Sequence, residues 1–318
     1  MGKKFISLFL SAIMIATVLS FSIPKETVVK SASTSTLIKP PANTHPRVLF
    51  TKNDIQSIKD SAKTNQNINA YDKLYSYYKE VVLSNFSADC KGKYDGIVEL
   101  DGQMHDIMIN YPLYNDVEAV SIGLSKDATV LPMGEYYIKT PVVFYGSSIT
   151  QGGCASRPGI SYEAILSREM DFDYVNLGFS GAAYGEPQIA EYIAKMRMSC
   201  FVLDYDHNAP DIVHLEATHE PFYRIIRKYQ PHLPIVISSA PNARIAEPEW
   251  ENRRSLIREN YNRFTSEGDK NLWYVDGNTL WGKDGWDNCT VDACHPNDLG
   301  FWRMARAFAP VLKEILFQ

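Results

Sequence analysis

The sequence predicts an α/β protein whose main domain is a five-stranded parallel sheet covered by helices on both faces. Three observations point there. Beyond Pro141, short apolar runs alternate with helical patterns, as successive βα units require. The last such pattern puts Phe301, Met304, Ala305, Phe308, Val311, Leu312 and Ile315 on one helical face. Blocks rich in Gly, Ser and Asn follow the strands directly, at the carboxyl ends where open α/β sheets bind their ligands.

The chain opens differently. Lys3 and Lys4 precede an uncharged stretch, Phe5–Phe21, followed by Pro24 and small residues at 31–33. This order predicts a secretory leader over residues 1–32 and hence a secreted protein. The 17 uncharged residues rise about 25 Å as a helix, short of a hydrocarbon core of about 30 Å, which disfavours a retained anchor. Cleavage removes four lysines and one glutamate, taking the net charge from −5 to −8. No stable membrane insertion is expected afterwards, and the acidic balance leaves no footprint for nucleic acid. A chain of 318 residues, 45% hydrophobic and 22% charged, can bury a sizeable core and is not composed for disorder. Its five cysteines lack CxxC spacing, which predicts neither a disulfide scaffold nor a zinc ribbon.

Residues 33–91 read as a Ser/Thr/Pro-rich linker and a helical segment. In "TKNDIQSIKDSAK", Thr51 is placed as an N-cap with Asp54 in the first turn, and a second helical run covers Ala70–Leu83. The preceding "HPRVLF" resembles the opening of the helical domain in some polysaccharide lyases and carries no chemistry. Over 92–140, "GIVELDG", "HDIMINYPL", "EAVSIGL" and "EYYIKT" predict the antiparallel strands of a small β unit. The main domain then runs from 141 to 318. Its strands are predicted at 142–145, 173–177, 199–204, 233–238 and 272–275, with helices at 161–170, 186–197, 211–229, 248–265 and near the end of the chain.

Four polar blocks carry the chemistry. "GSSITQGG" (146–153), "GFSGAAYG" (178–185) and "YDHNAP" (205–210) follow the first three strands, and "TVDACHPNDLG" (290–300) precedes the last helix. A serine becomes a nucleophile when a neighbouring base takes its proton. His295 is the candidate base, and Asp292, three residues earlier, can hold and orient its ring. Taken alone, Ser148 also fits a turn or cap serine, and Asp292 with His295 a surface loop pair. Ser180 lacks the GxSxG spacing of a nucleophile elbow. His214 and His219 are five residues apart, not four as in HExxH, which disfavours a helical zinc pair. His207 reads as a loop residue near the cleft.

Together the blocks "GSSIT", "NLGFSG", "DYDHN" and "DACH" resemble those of the SGNH, or GDSL-type, hydrolase superfamily, in the family's order across the main domain. "GSSITQGGCASRPG", "NLGFSG" and "CHPNDLGF" are similar to a bacterial branch in which a small β domain precedes the catalytic one. One departure is Ser147, where the commonest version has aspartate. The resemblance implies a flavodoxin-like three-layer sandwich, Ser148, Asp292 and His295 as a triad, and an oxyanion hole made by the backbone N–H of Ser148, that of Gly181 and the amide of Asn208. It also implies a serine esterase that needs no metal or organic cofactor and cleaves acyl esters, foremost acetyl, on carbohydrate. The alternatives are a lipase or thioesterase of the same fold, or a secreted glycan-binding protein without activity. Arg157, Trp281 and Trp286 are candidate substrate contacts; loop bracing competes for the first and core packing for the tryptophans. Cys154 and Cys294 stand near Ser148 and His295 in sequence, so a disulfide between them is a further candidate.

Overall fold

The computed structural model describes residues 47–50, 80–82, 105–114, 117, 119–123, 129–241 and 248–317. The leader, the linker, the helix predicted from Thr51 and the strand "GIVELDG" lie outside those residues.

The chain divides into two compact units. The first contains a three-stranded sheet of β1 (Arg47–Phe50), β2 (Glu80–Val82) and β3 (His105–Asn110), with β3 central, β1 antiparallel to it and β2 parallel. This corrects two expectations. Glu80–Val82 is strand rather than the end of a helix: its β-branched Val81 and Val82 lie in register beside Ile109 and Asn110, and pairing overrides the local helical pattern. The β unit is also neither purely antiparallel nor confined to 92–140, and residues 119–123 of "EAVSIGL" form no strand.

The second unit is an α/β sandwich on five parallel strands: β4 (Ile138–Gly146), β5 (Phe172–Gly178), β6 (Cys200–Asp204), β7 (Ile235–Ser238) and β8 (Leu272–Val275). Their order is β5-β4-β6-β7-β8. The chain therefore reverses direction across the sheet at β4, and the crevice between the ends of β4 and β6 is the switch point where ligands of such sheets bind. The predicted boundary at 140/141 falls inside β4, since Ile138–Thr140 of "EYYIKT" belong to it. Pro141 sits where the pairing with β5 shifts register between Ile138 and Val142, a place that tolerates a residue without an N–H.

The strands alternate with α1 (Ser148–Gln151), α2 (Tyr162–Met170), α3 (Pro187–Ile193), α4 (Ile212–Tyr229), α5 (Pro248–Ser266), α6 (Gly277–Leu280) and α7 (Asp298–Leu316). The period of two sorts the core into two layers. Val143, Tyr145, Phe201, Leu203, Ile235 and Ile237 pack under α3, α4 and α5, against Ile193, Phe222, Ile226, Ile257 and Phe264. Val142, Phe144, Val202 and Val236 pack under α2, α6 and α7, against Leu166, Leu280, Phe301, Met304 and Phe308. Each such side chain contributes about 1.5–3 kcal/mol on burial, so the strand ends that carry the polar blocks rest on a well-packed core. No helix among the described residues is long and apolar enough to cross a membrane.

Candidate active site

Strand β4 ends in Gly146, and the chain turns at once into α1. The turn is tight: a Cβ at Gly146 would stand 2.0 Å from Thr150 Oγ1 and 2.3 Å from the Asp204 carbonyl oxygen. Ser147 caps α1, its Oγ accepting from the Ile149 N–H at 3.1 Å. Aspartate and serine are both good N-caps, so serine can stand where the superfamily commonly has aspartate. Ser148 is the first residue of α1 and is only 8% exposed.

Polar side chains support α1 from below. Asp204, at the end of β6, accepts from Tyr162 Oη at 3.1 Å and Thr150 Oγ1 at 3.4 Å. Burial and then the charge of Asp206 push the Asp204 carboxyl well above the usual range, against the pull of those two hydroxyls. The Asn176 amide nitrogen donates to the Thr150 carbonyl at 2.7 Å and to Glu163 Oε1, while Asn176 Oδ1 accepts from the Gly178 N–H at 2.8 Å. Burial raises the Glu163 carboxyl to about 8 despite the hydrogen bond from Asn176.

The loop before α7 supplies the partner groups. Ser148 Oγ lies 2.8 Å from His295 Nε2, and His295 Nδ1 lies 2.6 Å from Asp292 Oδ2. Asp292 Oδ1 also accepts from the main-chain N–H groups of Cys294 at 2.9 Å and His295 at 2.6 Å. Ala293 makes that fold-back possible by adopting φ 62°, the left-handed region that non-glycine residues enter at some cost. Partial burial would raise the Asp292 carboxyl, but the bonds from His295 and Cys294 outweigh it and hold the group below its ordinary value. Thr290 closes the loop, its Oγ1 donating to the His295 carbonyl at 2.9 Å and accepting from the Cys294 N–H at 3.1 Å. A hydroxyl, an imidazole and a carboxylate in this order can pass a proton from oxygen to ring while the carboxylate stabilises the charge that forms.

The blocks after β5 and β6 are tied to each other and to α1. Gln151 Oε1 accepts from the Ser180 N–H at 2.9 Å. Asn208 Oδ1 accepts from the Ala183 N–H at 3.3 Å, which leaves the amide's NH2 as its donor group. Gly181 has φ 66°, and nothing lies within 4 Å of where its Cβ would be, so its backbone is open to close approach.

Other predicted residues make contacts of their own. The Arg157 guanidinium pairs with Asp298 at 3.5 Å, and Ser156 holds the same carboxylate through its N–H at 2.8 Å, which is a loop brace. Trp281 is 0% exposed, wedged into the core with Leu280, Phe301 and Met304, and Trp286 packs against the same core. A ring with no exposed face cannot stack on a sugar, which corrects the expectation for Trp281. Cys154 and Cys294 are not joined in the disulfide expected of them; Cys294 Sγ faces His207 Nδ1 at 3.9 Å. His214 Nε2 meets the Tyr184 carbonyl at 2.8 Å, while His219 is buried against Tyr205, and no metal-holding cluster of three or more His, Cys, Asp or Glu occurs among the described residues.

Two aromatic residues near the site went unnoticed in the sequence. Tyr114 reaches the Ser148 carbonyl with its hydroxyl at 3.2 Å. Trp250, at the start of α5, lies 4.8 Å ring to ring from His207, which in turn touches the residue before His295.

Residues 139–313, more than half of the chain, match the GDSL-like Lipase/Acylhydrolase family. No curated protein matches the sequence. Among solved structures, a GDSL-like lipase from Bacteroides ovatus is similar at 26% identity with a TM-score of 0.61, the match covering 86% of this chain and 82% of that one. The salicylyl-acyltransferase SsfX3 of a tetracycline biosynthetic pathway shares the fold at 22% identity and a TM-score of 0.52, over 61% of this chain and 59% of its own. The chain thus belongs to the GDSL-like lipase/acylhydrolase family of the SGNH superfamily, and it is an ester hydrolase.

Proposed function

We propose that this protein is an exported serine esterase that removes acyl groups, foremost acetyl, from carbohydrate. His295 Nε2 takes the Ser148 proton as Oγ attacks the ester carbonyl, and Asp292 stabilises the resulting imidazolium. The N–H groups of Ser148 and Gly181 and the Asn208 amide receive the developing oxyanion. His295 then returns the proton to the departing alcohol, leaving an acyl-Ser148 that water clears by the same steps in reverse. Side chains and water suffice for this chemistry. The observation that carries the reading is the unbroken hydrogen-bonded chain from Ser148 Oγ through His295 to Asp292. The carbohydrate substrate rests on the superfamily resemblance and on the leader-like first 32 residues.

The test is hydrolysis of p-nitrophenyl esters of increasing acyl length, followed by acetate release from acetylated xylan, pectin and chitin fragments. Ser148→Ala is expected to lose at least about 10³-fold in kcat on every substrate. Equal background rates for both proteins would favour a glycan-binding role, and a preference for long acyl chains would favour a lipase.

A further inference from the structure

Tyr114 lies outside the family match, in a segment that the sequence places with the small β unit. The structure instead assigns residues 112–114 to the second unit, the one that carries Ser148. Gln151 Nε2 donates to the Leu113 carbonyl at 3.0 Å, and Leu113 packs against the core beneath α2 and α7. That anchorage brings Tyr114 to the reacting groups. A Cβ at Gly153 would stand 2.6 Å from Tyr114 Oη and 3.5 Å from His295 Cδ2, so the hydroxyl lies no farther than 6.1 Å from that ring carbon. Cδ2 is bonded to Nε2, the atom that must protonate the leaving alcohol. Tyr114 therefore stands where substituents of that alcohol pass.

Its hydrogen bonds leave it one task. The hydroxyl donates to the Ser148 carbonyl at 3.2 Å, and its oxygen retains the capacity to accept. The side chain is 42% exposed, an apolar face with a polar tip. We infer that Tyr114 recognises the alcohol portion of the ester, its ring covering that group and its hydroxyl accepting a hydrogen bond from a neighbouring substrate hydroxyl. This deepens the proposed esterase reading and rests on it. Tyr114 is a specificity residue: it meets the alcohol during acylation and has no partner once the alcohol has left.

Tyr114→Phe keeps the ring and removes the acceptor. Two pairs of acetates differ in the alcohol: an acetylated xylo-oligosaccharide with phenyl acetate, and glyceryl monoacetate with ethyl acetate. Within each pair the ratio of kcat/KM for the hydroxyl-bearing ester to that for the plain one should fall about 3–10-fold, the effect of one hydrogen bond. Deacylation of the acetyl-enzyme, followed by rapid quench, should fall less than acylation. If the wild type ignores sugar acetates while the glyceryl/ethyl ratio still falls in the variant, alcohol recognition stands and the carbohydrate reading fails. Unchanged ratios in both pairs, or equal losses in acylation and deacylation, would show that Tyr114 only braces the Ser148 turn and would overturn the inference.

Discussion

Replacing Glu163 by glutamine should change how the protein's stability depends on pH. The carboxyl is buried under α1, and its pKa rises from 4.5 to about 8. The folded state thus holds this proton more tightly than the unfolded chain does. Stability from the neutral carboxyl is fully present below about pH 4.5 and is lost as pH rises towards 8. At about 1.36 kcal/mol per unit, the shift amounts to roughly 5 kcal/mol as an upper figure, a large share of the 5–15 kcal/mol typical of a domain. Glutamine is isosteric, stays neutral and can still accept from Asn176. The stability difference between Glu163→Gln and wild type should therefore grow with pH over that window. His219, whose pKa burial lowers from 6.5 to about 4, acts in the opposite sense, costing stability as pH falls through that range. It is present in both proteins and cancels in the difference. Urea unfolding followed by tryptophan fluorescence from pH 4.5 to 9 measures the quantity directly. A difference flat to within about 1 kcal/mol would refute the reasoning and mean that solvent reaches Glu163 in the folded state.

Asp292→Asn should leave the fold intact and lower kcat about 10³–10⁴-fold, because the ring loses its carboxylate partner; unchanged turnover of p-nitrophenyl acetate would remove Asp292 from the mechanism. Asn208→Ala should lower kcat about 10²–10³-fold with a smaller change in KM, and an effect confined to KM would mark it as a substrate contact only. Gly146→Ala should destabilise the protein by about 1–3 kcal/mol and lower activity as well, since Thr150 must yield and α1 carries Ser148. A thermal melt paired with an activity assay checks both halves of that expectation.

The parallel sheet was legible because its strands are buried on both faces and read as continuous apolar runs. Val142–Tyr145 shows this plainly, and the strands at 173–177, 199–204 and 272–275 fall within a residue or two of their observed limits. The meeting of Ser148 with His295 and Asp292 was legible because Asp292 and His295 are neighbours in sequence and the serine directly follows a strand. Pairing partners were not legible. Val81 and Val82 find theirs near Ile109 and Asn110, and no local pattern announces that. Aromatic residues misled in both directions, because a tryptophan looks alike in sequence whether it fills a core, as Trp281 does, or stands beside His207, as Trp250 does. Tyr114 stayed hidden because its place beside Ser148 depends on where Leu113 anchors, a tertiary fact without a sequence signature.

Ser148 meets His295 at 2.8 Å, and His295 meets Asp292 at 2.6 Å. On the proposed mechanism, such a preassembled trio leaves no assembly step for a substrate to trigger. Selection on that mechanism falls to the residues beside the trio, and Tyr114, against the Ser148 carbonyl, becomes the natural place to retune which esters are accepted while the trio stays as it is.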